Sequence, residues 1–389
     1  MSQKKVKCIG ILTSGGDCPG LNAAIRGVAK AAMHHGIRVV GFQDGFRGLV
    51  ENRHVNLESL QVSGILTLGG TILGSSRDKP RKMNMGGEIM DMTHVAIENA
   101  HRNQIDCLVC LGGNGTQKNA MHLASTGELN VITLPKTIDN DVYGTDISFG
   151  FDTAMNIATE AIDRLHTTAT SHHRVIVCEV MGHKAGWLAL GAGLAGGADV
   201  ILIPEIPYDI EVISEHLLYR RSTGRRFSII AVAEGAISQK QLDSENKKTA
   251  EKGKKKGKKK QSPSNSESEQ EDGHLLIREP MANRIARKIT ARTGIDCRTT
   301  SLGHVQRGGS PSAADRLLTT RLGTCVGHML EKQKFNVMIA LRGDQCVPVP
   351  LEEVAGKTRR VTLEHDWIQT ARYVETCMGD TRPHLHHSF

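Results

Sequence analysis

Four residues capable of acid–base or phosphate chemistry stand in the segment 135–141, Pro-Lys-Thr-Ile-Asp-Asn-Asp. The apolar run 129–134 precedes this segment and predicts a buried strand. In a crevice of an α/β fold, Asp139 and Asp141 would repel each other unless a metal, a substrate hydroxyl or a cation neutralised them. Lys136 is one such cation. The spacing suits proton transfer from a hydroxyl by one carboxylate, while the other binds magnesium or orients its partner.

A second interpretation of the same segment needs no chemistry. Asp and Asn side chains often accept hydrogen bonds from nearby backbone N–H groups, so an Asx-rich turn explains this composition as well. The segment on its own leaves both interpretations open, and the rest of the chain has to decide between them.

Glycine-rich loops occur in three places, at 14–20, 69–77 and 112–116. Glycines at the end of a strand let backbone N–H groups approach a phosphate, and the start of the following helix adds a favourable potential. In a doubly wound sheet such loops meet at one crevice. We therefore expect a phosphorylated ligand to face the carboxylate pair. Arg77, at the end of the second loop, is either a phosphate clamp or an ordinary surface arginine.

A further polar cluster lies in the segment 302–311, where His304 and Arg307 are three residues apart. These side chains suggest a second phosphate-binding group. The alternative is a helix-capping loop whose charges are incidental.

The order of apolar runs and periodic segments predicts an α/β protein, because strands alternate with helices along most of the chain. We expect strands over 6–13, 39–42, 107–111, 129–134, 175–180, 199–203, 227–233 and 335–341. We expect helices over 21–35, 90–103, 152–168, 187–196, 279–292 and 313–331, and a further one that begins near Gln117.

Length and composition limit the class of protein. The chain has 389 residues, of which 39% are hydrophobic and 23% charged, so it can form two large lobes. No apolar run reaches the length of a membrane span, and the N-terminus resembles neither a signal nor a transit peptide. The nine cysteines are scattered, which is typical of reduced thiols in a cytoplasmic protein. Cys107 and Cys110 have a redox spacing but lie along a strand, which favours a structural role.

Part of the net charge of +8 is local, since residues 247–272 contain nine lysines and five acidic residues. Residues 245–272 show no apolar periodicity and predict a disordered Lys/Ser/Glu-rich insertion. An alternative is that the lysines bind nucleic acid, but a net positive charge of this size supports that interpretation only weakly.

The motifs together resemble those of the 6-phosphofructokinase family, specifically its branch intermediate between the ATP-dependent and pyrophosphate-dependent types. The resemblance covers nearly all of 6–345 apart from the insertion. It rests on six stretches in the family's order: SGGDCPGLNAAIRG, GGTILGSSR, GGNGT, PKTIDND, MGHKAGW and GHVQRGGSP.

This resemblance implies two similar three-layer α/β lobes with mostly parallel sheets and an active site in the cleft between them. One lobe, residues 1–148 plus about 306–360, would bind the nucleotide. The other, residues 149–305 plus the C-terminal segment, would bind the sugar phosphate.

The resemblance also implies roles for individual residues. Asp139 would take the proton from the C1 hydroxyl of fructose 6-phosphate, with Thr137 and Lys136 beside it. Magnesium would be held at Asn114 and Asp141. The nucleotide side would comprise Gly16, Arg77, Asp78, Gly112, Gly113, Asn114, Gly115 and Thr116. The sugar-phosphate side would comprise Thr137, Asp139, Arg174, Met181, Gly182, His183, Glu234, Arg298, His304 and Arg307, with some of the arginines supplied by a neighbouring subunit.

Several positions depart from the family's commonest pattern. Asn114 stands where ATP-using relatives often have Asp, and an amide attracts a hard cation less strongly. His183 stands where many relatives have Arg. Lys136 is typical of pyrophosphate-using relatives, whereas Gly115 leaves room for the α-phosphate of a nucleotide. We favour ATP because a steric clash is harder to avoid than an extra cation.

The expected protein is a cytoplasmic, ATP-dependent 6-phosphofructokinase of glycolysis that uses Mg²⁺. It would be a homodimer or homotetramer with no nucleic-acid or membrane partner. A pyrophosphate-dependent phosphotransferase is the first alternative. A non-catalytic sugar-phosphate-binding subunit is the second, and only Asn114 supports it.

Overall fold

The computed structural model describes residues 5–244, 246, 247 and 279–382. The predicted insertion at 245–272 therefore lies outside the described residues, apart from 246 and 247. Contacts divide the chain into two compact units. Unit 1 comprises the residues up to Ala158 together with His304–Arg360, and unit 2 comprises Thr159–Gly303 together with the residues from Val361 onward.

Unit 1 contains a seven-stranded sheet. Its strands are β1 (Cys8–Thr13), β2 (Arg38–Phe42), β3 (His54–Asn56), β6 (Cys107–Gly112), β7 (Asn130–Pro135), β12 (Val337–Arg342) and β13 (Gln345–Pro350). Their order is β13-β12-β7-β6-β1-β2-β3. The inner pairs are parallel, and β3 and β13 are antiparallel edge strands. A separate hairpin joins β4 (Met83–Met85) to β5 (Glu88–Met90).

Helices cover both faces of this sheet. They are α1 (Leu21–His34), α2 (Phe46–Val50), α3 (Thr93–Arg102), α4 (Asn114–Ser125), α9 (Ala313–Glu331) and α10 (Leu351–Val354), with 3-10 turns at Ile65–Thr67 and Gly303–Arg307. Cys8 and Leu12 of β1 pack in one core with α2, α3 and α4. Ile9 and Ile11 alternate with them and are fully buried on the other face, where α1 contacts β1.

Helix α5 (Phe151–His172) leads from unit 1 into unit 2, whose four-stranded sheet has the order β11-β8-β10-β9 and is entirely parallel. The strands are β8 (Val175–Val180), β9 (Val200–Leu202), β10 (Ser228–Ala233) and β11 (Cys297–Ser301). The helices are α6 (Trp187–Ala195), α7 (Ile210–Ser222), α8 (Met281–Thr293) and α11 (Asp366–Tyr373).

Strand β10 shows why unit 2 also has helices on two faces. Ile230 and Val232 point into the core formed with α7 and α8. Ala231 points the opposite way, where a Cβ on Gly193 of α6 would lie 3.0 Å from its own Cβ. Fully buried strands of this kind explain the continuous apolar runs in the sequence.

The predicted α/β class with mostly parallel sheets is confirmed. Several elements were not predicted, among them helices α2, α10 and α11, the hairpin β4–β5 and strands β3, β11 and β13. Pro348 and Pro350 obscured β13 in the sequence, and proline is tolerated there because the strand is at the edge of the sheet. The helix expected over 90–103 begins only at Thr93. Among the described residues, no helix is both long and apolar enough to span a bilayer.

Candidate active site

The loop after β7 is held in shape by its own polar side chains. Asn140 adopts a positive φ of 52°, and its Oδ1 accepts a hydrogen bond of 2.9 Å from the backbone N–H of Ser148. Ser148 Oγ donates to the carbonyl of Thr137 at 2.9 Å, and the N–H of Asp139 donates to Thr137 Oγ1 at 3.0 Å. The side chains of Thr137, Asn140 and Ser148 therefore hold the backbone that carries Asp139 and Asp141, through a Thr137 turn and a longer-range Asn140 contact rather than an Asx-turn.

Lys136 is a buried cation between two of the predicted loops. Its Nζ donates a hydrogen bond to the carbonyl of Gly16. Burial is the largest cause of its lowered pKa, and Arg307 lowers it further, whereas Asp139 and Asp17 oppose the shift. A buried ammonium close to the Asp139 carboxylate is suited to neutralising charge on a transferring phosphoryl group.

Asn114, the first residue of α4, connects the third glycine loop to Asp141. Its Nδ2 donates to Asp141 Oδ2 at 2.9 Å and to the Asp141 carbonyl at 3.2 Å. The Oδ1 of Asn114 is buried and has no hydrogen-bond partner within the described parts of the chain. A buried amide oxygen without a partner, beside a carboxylate, fits the oxygen ligands that Mg²⁺ prefers.

The third glycine loop lies directly against the Lys136 segment. The N–H of Lys136 donates to the carbonyl of Gly112 at 3.1 Å. A Cβ on Gly113 would lie 3.4 Å from the carbonyl oxygen of Lys136, and the side chain of Thr116 is buried. A Cβ on Gly115 would have no described atom within 4 Å. This loop therefore leaves open space at Gly115, as the sequence predicted for a nucleotide donor.

The first and second glycine loops line one open pocket of about 350 Å³. Its lining comprises Gly15, Gly16, Asp17, Gly70, Thr71, Ser75, Ser76 and Arg77. Gly16 and Arg77 are thus brought together, with the exposed guanidinium-bearing side chain of Arg77 at the pocket. Hydroxyls and backbone amides around an arginine are suited to a phosphate.

Asp78 is engaged elsewhere. Its two carboxylate oxygens accept hydrogen bonds of 2.8 and 3.0 Å from the guanidinium of Arg47. Arg47 is also the largest cause of the lowered pKa of Asp78. In this arrangement the Asp78 carboxylate binds Arg47, while its neighbour Arg77 lines the pocket.

Arg307 lies over the first glycine loop. Its Nη1 donates to the carbonyl of Asp17 at 2.9 Å, and a Cβ on Gly16 would come within 2.8 Å of the same nitrogen. His304 is exposed in the 3-10 turn Gly303–Arg307. Unit 1 therefore places Arg307, predicted for the sugar phosphate, beside Gly16, predicted for the nucleotide.

In unit 2, two predicted phosphate-binding arginines converge on one carboxylate. Arg174 Nε lies 3.5 Å and Arg298 Nη2 lies 3.4 Å from Asp296 Oδ2. Arg298 is exposed and Arg174 is half-buried. The shared counter-ion keeps two guanidinium groups close together while their other N–H groups stay available to a phosphate.

The other predicted residues of unit 2 lie at the opposite end of its sheet. Met181, Gly182 and His183 follow the carboxyl end of β8, and Glu234 follows β10. The N–H of His183 donates to Glu234 Oε1 at 2.8 Å, which joins the two loops. Arg174 precedes β8, and β11 runs parallel to β8 with Arg298 opposite Ile176. The two groups are therefore separated by a strand, about 15–20 Å.

Two residues that support the site were not predicted. Arg359 donates from its backbone N–H to the carbonyl of Asp141 at 2.8 Å and from Nη1 to the carbonyl of Asn140 at 3.2 Å. Burial lowers the pKa of Arg359, and Asp146 opposes this shift. Asp296 is the second. Neither residue belongs to a glycine loop or a carboxylate pair, so no local pattern marks it.

Comparison with known proteins identifies the family. The profile of the family described as Phosphofructokinase matches residues 8–330. A protein of Propionibacterium freudenreichii subsp. shermanii, named ATP-dependent 6-phosphofructokinase, is 52% identical over 96% of this chain and 99% of its own. A protein of Spirochaeta thermophila with the same name is 50% identical over 98% of this chain and all of its own.

A solved structure supports the same assignment. Phosphofructokinase from Saccharomyces cerevisiae superposes with a TM-score of 0.72 at 31% identity, covering 89% of this chain and 45% of the yeast chain. This chain thus spans less than half of the yeast protein, whereas it matches the bacterial relatives over almost their whole length. The family resemblance of the six motifs is confirmed: the chain belongs to the phosphofructokinase family.

Proposed function

We propose that this protein is an ATP-dependent 6-phosphofructokinase that acts in glycolysis in the cytoplasm. It would transfer the γ-phosphoryl group of ATP to the C1 hydroxyl of fructose 6-phosphate. The observation that carries this proposal is the contact between the segment 135–141 and two glycine-rich loops. Lys136 contacts Gly16 of the first loop through its side chain and Gly112 of the third through its backbone. Asp139 follows Lys136 in the same segment. The names of the relatives at 50–52% identity agree with it.

In the proposed reaction, Asp139 accepts the proton as the C1 oxygen attacks the γ-phosphorus. The bond between that phosphorus and the β–γ bridging oxygen breaks, and ADP leaves. Asp139 is suited to this role because the bond from its N–H to Thr137 Oγ1 fixes its position in the loop. Phosphoryl transfer depends mainly on such positioning and on charge neutralisation.

Positive charge for the transferring group would come from side chains of unit 1. Lys136 is buried next to the first and third glycine loops, and Arg77 lines the pocket that the first two loops share. Asn114 and Asp141 would hold Mg²⁺, which neutralises charge on the phosphate oxygens when bound. The buried Asn114 Oδ1, which has no hydrogen-bond partner among the described residues, supports this assignment.

We propose that the 6-phosphate of the sugar is bound by arginines of two copies of the chain. Arg174 and Arg298 share Asp296 at one end of the sheet of unit 2, a strand length away from Met181–His183 and Glu234 at the other end. One copy therefore cannot easily bring both groups to one small ligand. A homodimer or homotetramer, in which Arg174 and Arg298 serve a neighbouring copy, fits this separation.

Pyrophosphate as the phosphoryl donor is the second candidate, because Lys136 offers a cation beside the catalytic loop. The open space at Gly115 favours ATP. A direct test measures formation of fructose 1,6-bisphosphate with ATP or pyrophosphate as the sole donor. Turnover with ATP supports the proposal. Turnover with pyrophosphate alone would overturn the donor assignment, and activity with neither donor would favour a non-catalytic subunit.

A further inference from the structure

Three side chains suited to metal binding lie together on unit 1, in a place that none of the six family motifs covers. His35 directly follows α1, while His328 and Glu331 are in the last turn of α9. Each side chain offers one ligand atom, and these atoms all lie within 4.8 Å of one another. His35 is half-buried and the other two are exposed. Among the described residues, this is the group of three His, Cys, Asp or Glu side chains whose ligand atoms are close enough together to hold one metal ion.

Helices α1 and α9, at whose C-terminal ends these side chains lie, pack closely against each other. A Cβ on Gly323 would lie 2.4 Å from the carbonyl carbon of Gly27, and a Cβ on Gly27 would lie 3.0 Å from the carbonyl oxygen of Thr319. One turn later, Gly327 faces Ala31 in the same way at 3.0 Å. The contacts advance together along both helices, so the helices run parallel and end side by side.

The electrostatic setting favours a cation. Because the helices are parallel, the partial negative charges of both C-terminal ends fall near His35 and Glu331. Glu331 adds a full negative charge. Lys332, the exposed residue after α9, is the nearest opposing charge in the sequence. Two helix C-terminal ends and one carboxylate contribute negative potential at the site, and Lys332 opposes it.

The ligand types select the class of metal. Two imidazole nitrogens and one carboxylate oxygen are the ligands of zinc and of neighbouring first-row transition metals, whereas Mg²⁺ and Ca²⁺ prefer oxygen alone. His328 and Glu331 are three residues apart and share one face of α9. Ligand atoms on one zinc ion are about 3.3 Å apart, so the side chains need to close by about 1–1.5 Å, which small torsional changes of exposed side chains allow.

We propose that His35, His328 and Glu331 form a binding site for a transition-metal ion of the Zn²⁺ type. The ion would link the C-terminal ends of α1 and α9, with water completing its coordination. This site is independent of the proposed catalytic function and uses none of its residues.

The test is calorimetric titration of the untagged full chain, treated with EDTA and dialysed, with Zn²⁺. The variants are His328→Gln and Glu331→Gln, and the matched control is His34→Gln, which removes an exposed histidine next to the site. His384, His386 and His387 are present in every variant, so any binding to them is common to all. We expect wild type and His34→Gln to share a site that His328→Gln weakens on the order of tenfold or more, since it loses one of three ligands.

Thermal unfolding provides a second measurement that does not depend on activity. Zn²⁺ should raise the Tm of wild type and of His34→Gln, because a ligand that binds the folded state stabilises it, and should raise that of His328→Gln less. The exposed positions of His328 and Glu331 allow both variants to fold, which melting without metal verifies. Equal affinity, stoichiometry and Tm shift in all variants would overturn the proposal and assign the binding to other groups.

Discussion

Asn114 donates a hydrogen bond of 2.9 Å from its Nδ2 to Oδ2 of Asp141, across 27 residues of sequence. This bond joins the start of α4 to the loop that follows β7. It also fixes the orientation of the Asn114 amide, whose Oδ1 is buried and has no hydrogen-bond partner in the part of the chain that the structure describes. An amide in this position orients Asp141 without adding a negative charge to it.

Asn114→Asp should strengthen magnesium binding. Two carboxylates in contact repel each other, so the apo protein should lose stability, whereas a bound cation relieves the repulsion. We expect the Mg²⁺-dependent rise in Tm to reach half its maximum at a concentration lower by on the order of tenfold. Asn114→Ala serves as the control, because it removes the amide without adding charge. A requirement for equal or more Mg²⁺ in the Asp variant would contradict the metal assignment.

Asp139→Asn should abolish most turnover while largely preserving binding of fructose 6-phosphate. The amide keeps the shape of the side chain but does not accept the hydroxyl proton, and a general base contributes about 10²–10⁴-fold. Steady-state kcat and a sugar-phosphate binding titration are the measurements. Asp163→Asn, at an exposed position of α5, is the matched control. A kcat within about threefold of wild type would exclude Asp139 as the base.

Gly115→Asp should impair the use of ATP more than the use of pyrophosphate. A Cβ added at Gly115 would have no described atom within 4 Å, so we expect the effect to fall on the donor rather than on folding. A carboxylate near the α-phosphate adds like-charge repulsion, which can reach several kcal/mol in a desolvated site. The values of kcat/KM for both donors are compared with those of Gly115→Ala, which adds volume without charge. Equal loss with both donors would mean that Gly115 does not select the donor.

The rate should decline at alkaline pH as Lys136 loses its proton. Burial lowers the pKa of Lys136 below the ordinary 10.5. The side chain is therefore positively charged at low pH and, as pH rises, loses that charge before pH 10.5 is reached. Lys136→Met should be slower at neutral pH and should lack this alkaline decline. A pH–rate profile of kcat/KM for both proteins is the measurement. The same decline in the Met variant would assign it to a different group.

For stability, the sign of the Lys136 effect is opposite to that of a salt bridge. The unfolded chain binds the proton more tightly than the folded chain, so stability rises as pH increases from the lowered pKa toward 10.5. Denaturant unfolding across that range should show this rise in wild type and a smaller one in Lys136→Met. If the free energy of unfolding of wild type minus that of Lys136→Met fell over the same range, the direction of the pKa shift would be contradicted.

Mixed oligomers should recover activity if Arg298 serves a neighbouring copy. Arg298→Ala alone should raise KM for fructose 6-phosphate on the order of tenfold or more, because it removes a charge-assisted hydrogen bond. Co-expression with Asp139→Asn would create some sites that combine an intact Asp139 with an intact Arg298. We expect the co-expressed mixture to exceed the sum of the two separately purified variants. No gain, despite verified mixing of the two chains, would place both residues in one copy.

The sequence alone predicts the parts of the site that are local in the chain. An apolar run followed by a polar loop places Asp139 and Asp141 at the carboxyl end of β7, because the period and length of the run identify a buried strand. Glycines after β1 and β6 likewise mark loops that a phosphate can approach. The order of six motifs identifies the family, since each motif constrains its own backbone.

Tertiary structure alone decides which of these pieces meet. Arg359 reaches the carbonyl of Asn140 across 219 residues, and Arg174 shares Asp296 with Arg298 although these residues are far apart in sequence. Strand order and parallel register also place Arg298 at the opposite end of the unit 2 sheet from His183. The physical reason is that pairing between distant strands depends on how all helices and strands pack together, which no single segment encodes.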